Sequence, residues 1–356
     1  MNPRENLLSL MRRTGYEHMP VDMSLCPSLE KDYRARTGET GPIEEIFRFP
    51  VRFVPDRAVP ERDQAAARAR FSESLHPDTR FDLWGIGNEP GSAKAMHMTR
   101  MRHPLATVES LEEMKAYPLP DFAGADASHQ KENVAAIHAQ GLAAGGGMAC
   151  TIWETAWYMR GMETLMGDMM DEDPKAEWLL DEVTKRSEIR AASFAAAGVD
   201  CLFLGDDIGM QHSIMMSRDL YNTWLQPRLK RVIQAARRIK PDILVFYHSC
   251  GFVTPFIPDL LDAGIDVLNP VQPECMDFER LHAEYGDVLS FHGTLGTQTT
   301  MPFGTAADVR AVVQRNLSIA GPKGGLWVAP THLLEPEVPV ENVLAYVEAC
   351  RAWSNG

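Results

Sequence analysis

The tetrad His248-Ser249-Cys250-Gly251 closes the apolar run DILVFY. In an extended chain residues i and i+2 point to the same side, so an imidazole and a thiolate can converge on one ion while Ser249 faces away. Gly251 then lets the backbone turn. His or Cys alone is often a core residue; their spacing at a strand end is what points to a metal. A tetrahedral site needs two more ligands, or one if a position is kept open for substrate. Glu154 and His332, each following a different apolar run, are the candidates, with Asp206 and Asp207 in reserve. Carboxylate, imidazole and one thiolate together suit Zn2+ better than Mg2+ or Ca2+, which take all-oxygen shells.

Other polar residues fall at equivalent places. Asp22 goes with the run MPVDMSL, Asp206-Asp207 close VDCLFLG, Asn269 and Gln272 follow IDVL, His292 follows VLSF, and Gln211 lies in the segment after Asp207. Taken singly, an Asp after a strand is often a helix N-cap and a lone His a structural group. As a set they point to one central site, with Asp206, Asp207 and His292 available to orient substrate or move a proton. Asp22, Gln211, Asn269 and Gln272 are read as substrate-binding.

The elements that must position these groups read as α/β. From about Gly145 onward short β-type runs (GGGMAC, VDCLFLGDD, DILVFYHSC, IDVLNP, VLSFHGT, GLWVAPTH) alternate with longer helical stretches, the signature of a parallel sheet covered by helices. Asp173-Pro174 predicts a helix start and Gly198 its end. Thr305 with Asp308 makes a capping box, Pro339 opens a last helix, and Pro227 predicts two helices or a kink between Ser217 and Lys240. The fold expected is a TIM (β/α)8 barrel, whose active site lies at the C-terminal face where these strand ends converge. Residues 131–356 carry the regular repeats. Residues 1–130 are expected to hold the first strand, MPVDMSL, plus irregular insertions: a strand-and-loop piece in FRFPVRFVPDRAVPERDQAAARARF and one or two hairpins in FDLWGIGNEPGSAKAMHMTRMRHPLA. The whole is read as one domain with an N-terminal elaboration.

Composition sets the outer bounds. With 356 residues, 45% of them hydrophobic and 24% charged, the chain has the makings of a large core. A net charge of −14 argues against nucleic acid or an anionic membrane as partner. No stretch reaches the ~18 apolar residues of a membrane span, and the opening segment lacks the apolar centre of a signal peptide. A cytoplasmic protein is expected. Six scattered cysteines, without paired spacing, are read as reduced thiols.

The segments HSCG (248–251), GDDIGMQ (205–211), LNPVQP (268–273), HGTLGTQTTMPFGT (292–305) and APTHLLEPEVPVENVLA (329–345) resemble the uroporphyrinogen-decarboxylase-like superfamily, and within it the corrinoid-dependent methyltransferases and O-demethylase components. The resemblance implies zinc as cofactor, a small methylated donor, and a corrinoid (cobalamin) carried by a partner protein; a homodimer is compatible with it. In thiol-methylating members zinc is held by an H-x-C pair and a later Cys near a P-x-x-P-x-E-N ending. Here His332 stands where that Cys is expected, which favours a methoxylated aromatic as donor over a coenzyme-type thiol. The arginine-rich motif of true uroporphyrinogen decarboxylases is absent from MPVDMSLCPSLEKDY, so a polycarboxylate substrate would lack its counter-charges. The rival readings are a decarboxylase or lyase of a small acid, a methylcorrinoid:thiol methyltransferase, and a non-catalytic metal or corrinoid chaperone. The residues Trp153, Trp157, Met159, Met210, Met215 and Met216 offer an adaptable apolar surface to a partner, or else pack a core.

Overall fold

The computed structural model describes residues 1–91 and 99–353. Its strands are β1 (Val51–Val54), β2 (Arg80–Phe81), β3 (Gly87–Pro90), β4 (Thr99–Arg102), β5 (Ala143–Ala149), β6 (Cys201–Gly205), β7 (Leu244–His248), β8 (Val267–Val271), β9 (Ser290–Leu295) and β10 (Leu326–Pro330). Seven of them form one parallel sheet in the order β1-β5-β6-β7-β8-β9-β10, with helices between successive strands from β5 onward. β9 and β10 are buried along their whole length, as strands covered on both faces must be. The curled sheet and its helices make the barrel-like α/β fold expected from the sequence.

Where the sheet would close, the sequence reading needs correction. MPVDMSL forms no ladder; it lies extended beside β10 and makes one parallel bridge, Leu25 to Leu334. Side chains hold it instead. The Trp327 indole donates to Pro20 O at 3.1 Å, and the Tyr346 hydroxyl bonds Asp22 O and Val328 O, both at 3.0 Å. The first laddered strand is β1, inside the segment read as an insertion, pairing Val51 with Ala143 and Val54 with Gly146.

The helix signals were accurate. Asp173 caps Pro174–Ala197 through Lys175 N, and Gly198 ends that helix in the left-handed conformation. Thr305 and Asp308 form the capping box of Ala306–Ala320, and Pro339 precedes Val340–Ala352. The chain between Ser217 and Lys240 divides into Arg218–Trp224 and Gln226–Arg237, with Pro227 in the first turn of the second helix, where its missing N–H costs nothing. The expected hairpins are β2-β3-β4, a small antiparallel sheet; residues 92–98 of that stretch lie outside the described residues. Among the described residues no helix is long and apolar enough to cross a membrane.

At the end of the barrel opposite the candidate site, Asp200 is 2% exposed and ties three elements together. It accepts from Arg4 Nη2 at 2.7 Å, His138 Nε2 at 2.8 Å and Ala144 N at 3.0 Å. Burial opposes its ionisation, but Arg4, the Ala144 amide and His138 outweigh it and hold the carboxyl below its usual range. Asp200→Ala is expected to cost about 2–4 kcal/mol in urea unfolding, less than a fully buried pair because Arg4 is partly in water. Since the folded carboxyl titrates below the unfolded one, that contribution is present above the unfolded value and disappears as pH falls through the folded one. The gap between wild type and variant should therefore narrow on acidification.

Candidate functional site

β7 ends at His248, and the chain continues extended through Ser249 to Cys250, so the two chemical side chains share one side. Cys250 Sγ lies 3.5 Å from His248 Nε2. Ser249 turns away and is buried, its hydroxyl accepting from Ile208 N at 2.9 Å and its amide donating to Asn269 O at 2.7 Å. Gly251 makes the turn at φ 86°, where a Cβ would stand 2.7 Å from Met210 O. Its N–H is held by Gln272 Oε1.

From the end of β6, Asp207 completes the group. Its Oδ1 accepts the Cys250 N–H at 2.7 Å and sits 3.7 Å from His248 Nε2. One ligand atom from each of Asp207, His248 and Cys250 lies within 4.8 Å of the others. Four ligands around zinc stand about 3.3–3.8 Å apart, so the spacing and the O, N, S donor set fit a zinc ion with a position open. Burial, with the Asp207 and Glu154 charges adding, pushes the Cys250 thiol up to about 12. Metal binding there must expel a proton.

Asp206 points the other way. Its carboxyl is buried and accepts from Ile152 N at 3.0 Å and Glu154 N at 2.9 Å, capping the helix Trp153–Arg160. The catalytic role read from the sequence is thus replaced by a positioning one: the group is enclosed by backbone amides. The helix it caps brings Glu154 to the mouth, close enough that Asp207 and His248 both influence its ionisation. Burial pushes the Glu154 carboxyl up, against the hydrogen bond donated by Tyr158 at 2.6 Å. Cys150 Sγ follows behind, 3.9 Å from the Tyr158 hydroxyl. Tyr158 was missed in the sequence, although its i+4 spacing from Glu154 on a helix marks it as a neighbour.

A row of side chains joins the ligand group to the opposite wall. His248 Nδ1 meets Asn269 Oδ1 at 2.6 Å, Asn269 Nδ2 meets His292 Nδ1, and His292 Nε2 meets Asp22 Oδ2 at 2.9 Å. An amide oxygen only accepts and an amide nitrogen only donates, so this row fixes both tautomers. His248 carries its hydrogen on Nδ1 and turns a bare Nε2 lone pair toward Cys250 and Asp207; His292 carries its hydrogen on Nε2, toward Asp22. Asn269 and His292, read as substrate-binding and catalytic, are placed to orient a ligand histidine.

His332 is not part of the ligand group. It is exposed and lines, with Cys250, Gln211 and Gln272, a cavity of about 490 Å³. The segment after β10 carries it to the cavity wall; the group whose ligand atoms the fold brings together is Asp207, held in reserve in the sequence reading, with His248 and Cys250, while Glu154 stands near them and His332 is outside that group. Gln211 exchanges two hydrogen bonds with Gln298, at 3.0 and 3.1 Å, at the same cavity. Gln272 is buried at the wall of this cavity, where its side chain supports the Gly251 turn.

The uroporphyrinogen decarboxylase (URO-D) family profile matches residues 93–353. Among solved structures, the chain is similar to a methyltransferase from Methanosarcina mazei, with a TM-score of 0.68 and 19% identity over 98% of each chain. It is also similar to a B12-independent methionine synthase from Shewanella sp. W3-18-1 solved with selenomethionine, at a TM-score of 0.41 and 16% identity over 61% of this chain and 65% of that one. No curated protein gives a significant match.

Two measurements check the ligand group. Zinc affinity, measured by competition with a chelator, should rise about tenfold per pH unit between pH 7 and 9 as Cys250 gives up its proton; in Cys250→Ala that slope should vanish along with most of the bound zinc. Asn269→Leu, which frees the His248 ring, should weaken zinc binding about 10–100-fold. Asn269→Asp retains an acceptor for Nδ1–H and should largely restore it.

Proposed function

Because the chain belongs to the uroporphyrinogen decarboxylase family, yet gathers carboxylates rather than arginines at the mouth of its barrel, we propose that it is a zinc-dependent methyltransferase. It moves a methyl group from a small methoxy compound to the corrinoid of a partner protein. The observation that carries this reading is the compact group of Asp207, His248 and Cys250. The overall likeness to the Methanosarcina mazei methyltransferase supports it. Asp207 and Asp22, joined through His248, Asn269 and His292, would repel a substrate with many carboxylates, which argues against uroporphyrinogen itself.

Bound at this group, zinc supplies Lewis acidity for the negative charge that develops on the leaving oxygen as its bond to the methyl carbon breaks. A single thiolate among nitrogen and oxygen donors leaves the ion more electrophilic than a two-Cys site, which suits an alkoxide or phenolate. This role falls to Asp207 where the sequence suggested His332. Glu154, held by the Tyr158 hydroxyl at 2.6 Å beside the ligand group, is placed to give a proton to the departing oxygen. Asn269 keeps His248 in the ligand tautomer throughout.

Of the Met and Trp residues considered for partner contact, Trp153, Met159 and Met216 are buried and belong to the core. Met210 is exposed and lines the 490 Å³ cavity together with Phe303, which is 78% exposed. These two side chains form an apolar rim where the corrinoid-bearing partner would dock.

The test supplies a reduced corrinoid protein and a panel of methoxy compounds and follows the cobalt absorbance. Methylation of cobalt by at least one ether is expected, with a loss of about 100-fold or more in Cys250→Ala, the order set by losing metal activation. No change with any ether, alongside rapid demethylation of the methylated corrinoid by a thiol, would place the protein on the other half of the transfer.

A further inference from the structure

The end of the barrel opposite the ligand group holds a cavity of about 540 Å³, where the chain enters β9 and β10. Barrel active sites sit at the other end, so this cavity lies outside the site described above. Three segments wall it: Arg12 and Arg13 follow the helix Pro3–Met11, His282 and Asp287 flank the end of the helix Phe278–Tyr285, and Lys323 and Gly324 follow the helix Ala306–Ala320. Two glycines allow them to close together. Gly324 and Gly325 stand at φ 91° and 92°, and Cβ atoms there would come within 2.8 Å of Leu10 O and 2.9 Å of Arg13 Cγ. The Gly325 N–H bonds Leu10 O at 2.8 Å and the Gly15 N–H bonds Lys323 O at 2.9 Å, which fastens the turn bearing Lys323 to the helix end bearing both arginines.

On a chain of net charge −14, this cavity is positive. Arg12, Arg13 and Lys323 line it against Asp287 alone, and burial lowers the His282 pKa, so that ring is neutral at pH 7. Asp242 lies 3.7 Å from Arg12, but Lys240 stands closer to it, at 2.7 Å, and offsets it. Among the described residues neither Arg13 nor Lys323 has a carboxylate partner. Cations often gather at helix C-termini to meet the negative end of the dipole, which accounts for Arg12. Arg13 is built differently. It takes φ 59°, a left-handed backbone that a residue with a Cβ keeps only where its surroundings hold it. Its guanidinium donates to the buried Ser290 hydroxyl at 2.5 Å and to Val288 O at 3.4 Å, so a cation is fixed in orientation by neutral groups and keeps its full charge. The helix ends themselves are blunted by backbone amides, Gly286 N on His282 O at 2.8 Å and Gly321 N on Leu317 O at 2.9 Å.

We propose that this cavity binds a phosphate dianion, either inorganic phosphate or the end of a small phosphomonoester. Two guanidinium forks and one ammonium suit the several oxygens and double charge of phosphate better than a single carboxylate. The volume is that of a small-molecule site and leaves room for the organic part of an ester. Nothing in this assignment depends on the methyl-transfer reading, because the two sites lie at opposite ends of the barrel.

Titration calorimetry of the full-length protein with inorganic phosphate, glycerol 3-phosphate and acetate tests it. At least one of the phosphates should bind once per chain, about tenfold or more tightly than acetate. Tighter binding of glycerol 3-phosphate names an ester as the ligand, and binding of inorganic phosphate at least as tight names phosphate itself. Arg12→Ala and Lys323→Ala should each lower that affinity about tenfold, the order of one charge-assisted hydrogen bond, and Lys323→Arg should largely restore it. Lys323 is exposed, so its replacement should leave the melting temperature unchanged. Phosphate held instead by zinc would be lost in Cys250→Ala, whereas the cavity predicts wild-type affinity there. No phosphate binding, undiminished binding in the Arg12→Ala, Lys323→Ala double variant, or loss of binding in Cys250→Ala would overturn the proposal.

Discussion

The Asp206 carboxyl is enclosed by backbone amides, and the mouth of the barrel is assembled around it. It accepts backbone N–H groups from Ile152 and Glu154, where the chain leaving β5 becomes a helix, while its own amide donates to His248 O at 3.0 Å. Three strand ends are thereby held in register by one side chain and its backbone. Burial, with Glu154 nearby, pushes this carboxyl well above its usual range despite the amides that oppose the shift. Such a group persists only where its hydrogen bonds are met, because an unpaired acceptor there would cost about 1–3 kcal/mol. With Asp206 committed to the helix, Asp207 is free to hold the Cys250 amide and face the ligand atoms.

A second constraint fixes chemistry rather than position. The Asn269 amide bonds one histidine with each end, so a single side-chain orientation decides which nitrogen of His248 and which of His292 carries hydrogen. Without it His248 could present an N–H to the ion, and the ligand group would lose its nitrogen donor. The structure thus separates two tasks: Asp206 sets where the groups stand, and Asn269 sets which ring nitrogens carry hydrogen.

The sequence displayed the site more plainly than the sheet that bears it. His248 and Cys250 were legible because i, i+2 spacing at a strand end has one geometric meaning, and the helix starts were legible because caps are local chemistry. Barrel closure was not. MPVDMSL has a strand's composition but is tied in by Trp327 and Tyr346 side chains, more than 300 residues away in sequence. β1 hid in a segment crowded with Pro and Arg. The choice between Asp207 and His332 depended on where loops carry them, and adjacent residues such as Asp206 and Asp207 look alike until the fold turns one inward. The GGG run reads as a strand and is one, β5; that Gly146 lets the Phe194 ring close on the sheet is visible only with the covering helix in place.

An X-ray absorption spectrum of zinc in the purified protein tests the central assignment most directly. One sulfur at about 2.3 Å with nitrogen and oxygen neighbours at about 2.0–2.2 Å is expected from Cys250, His248 and Asp207, and the sulfur should disappear in Cys250→Ser. A shell with no sulfur, or with two, would contradict it.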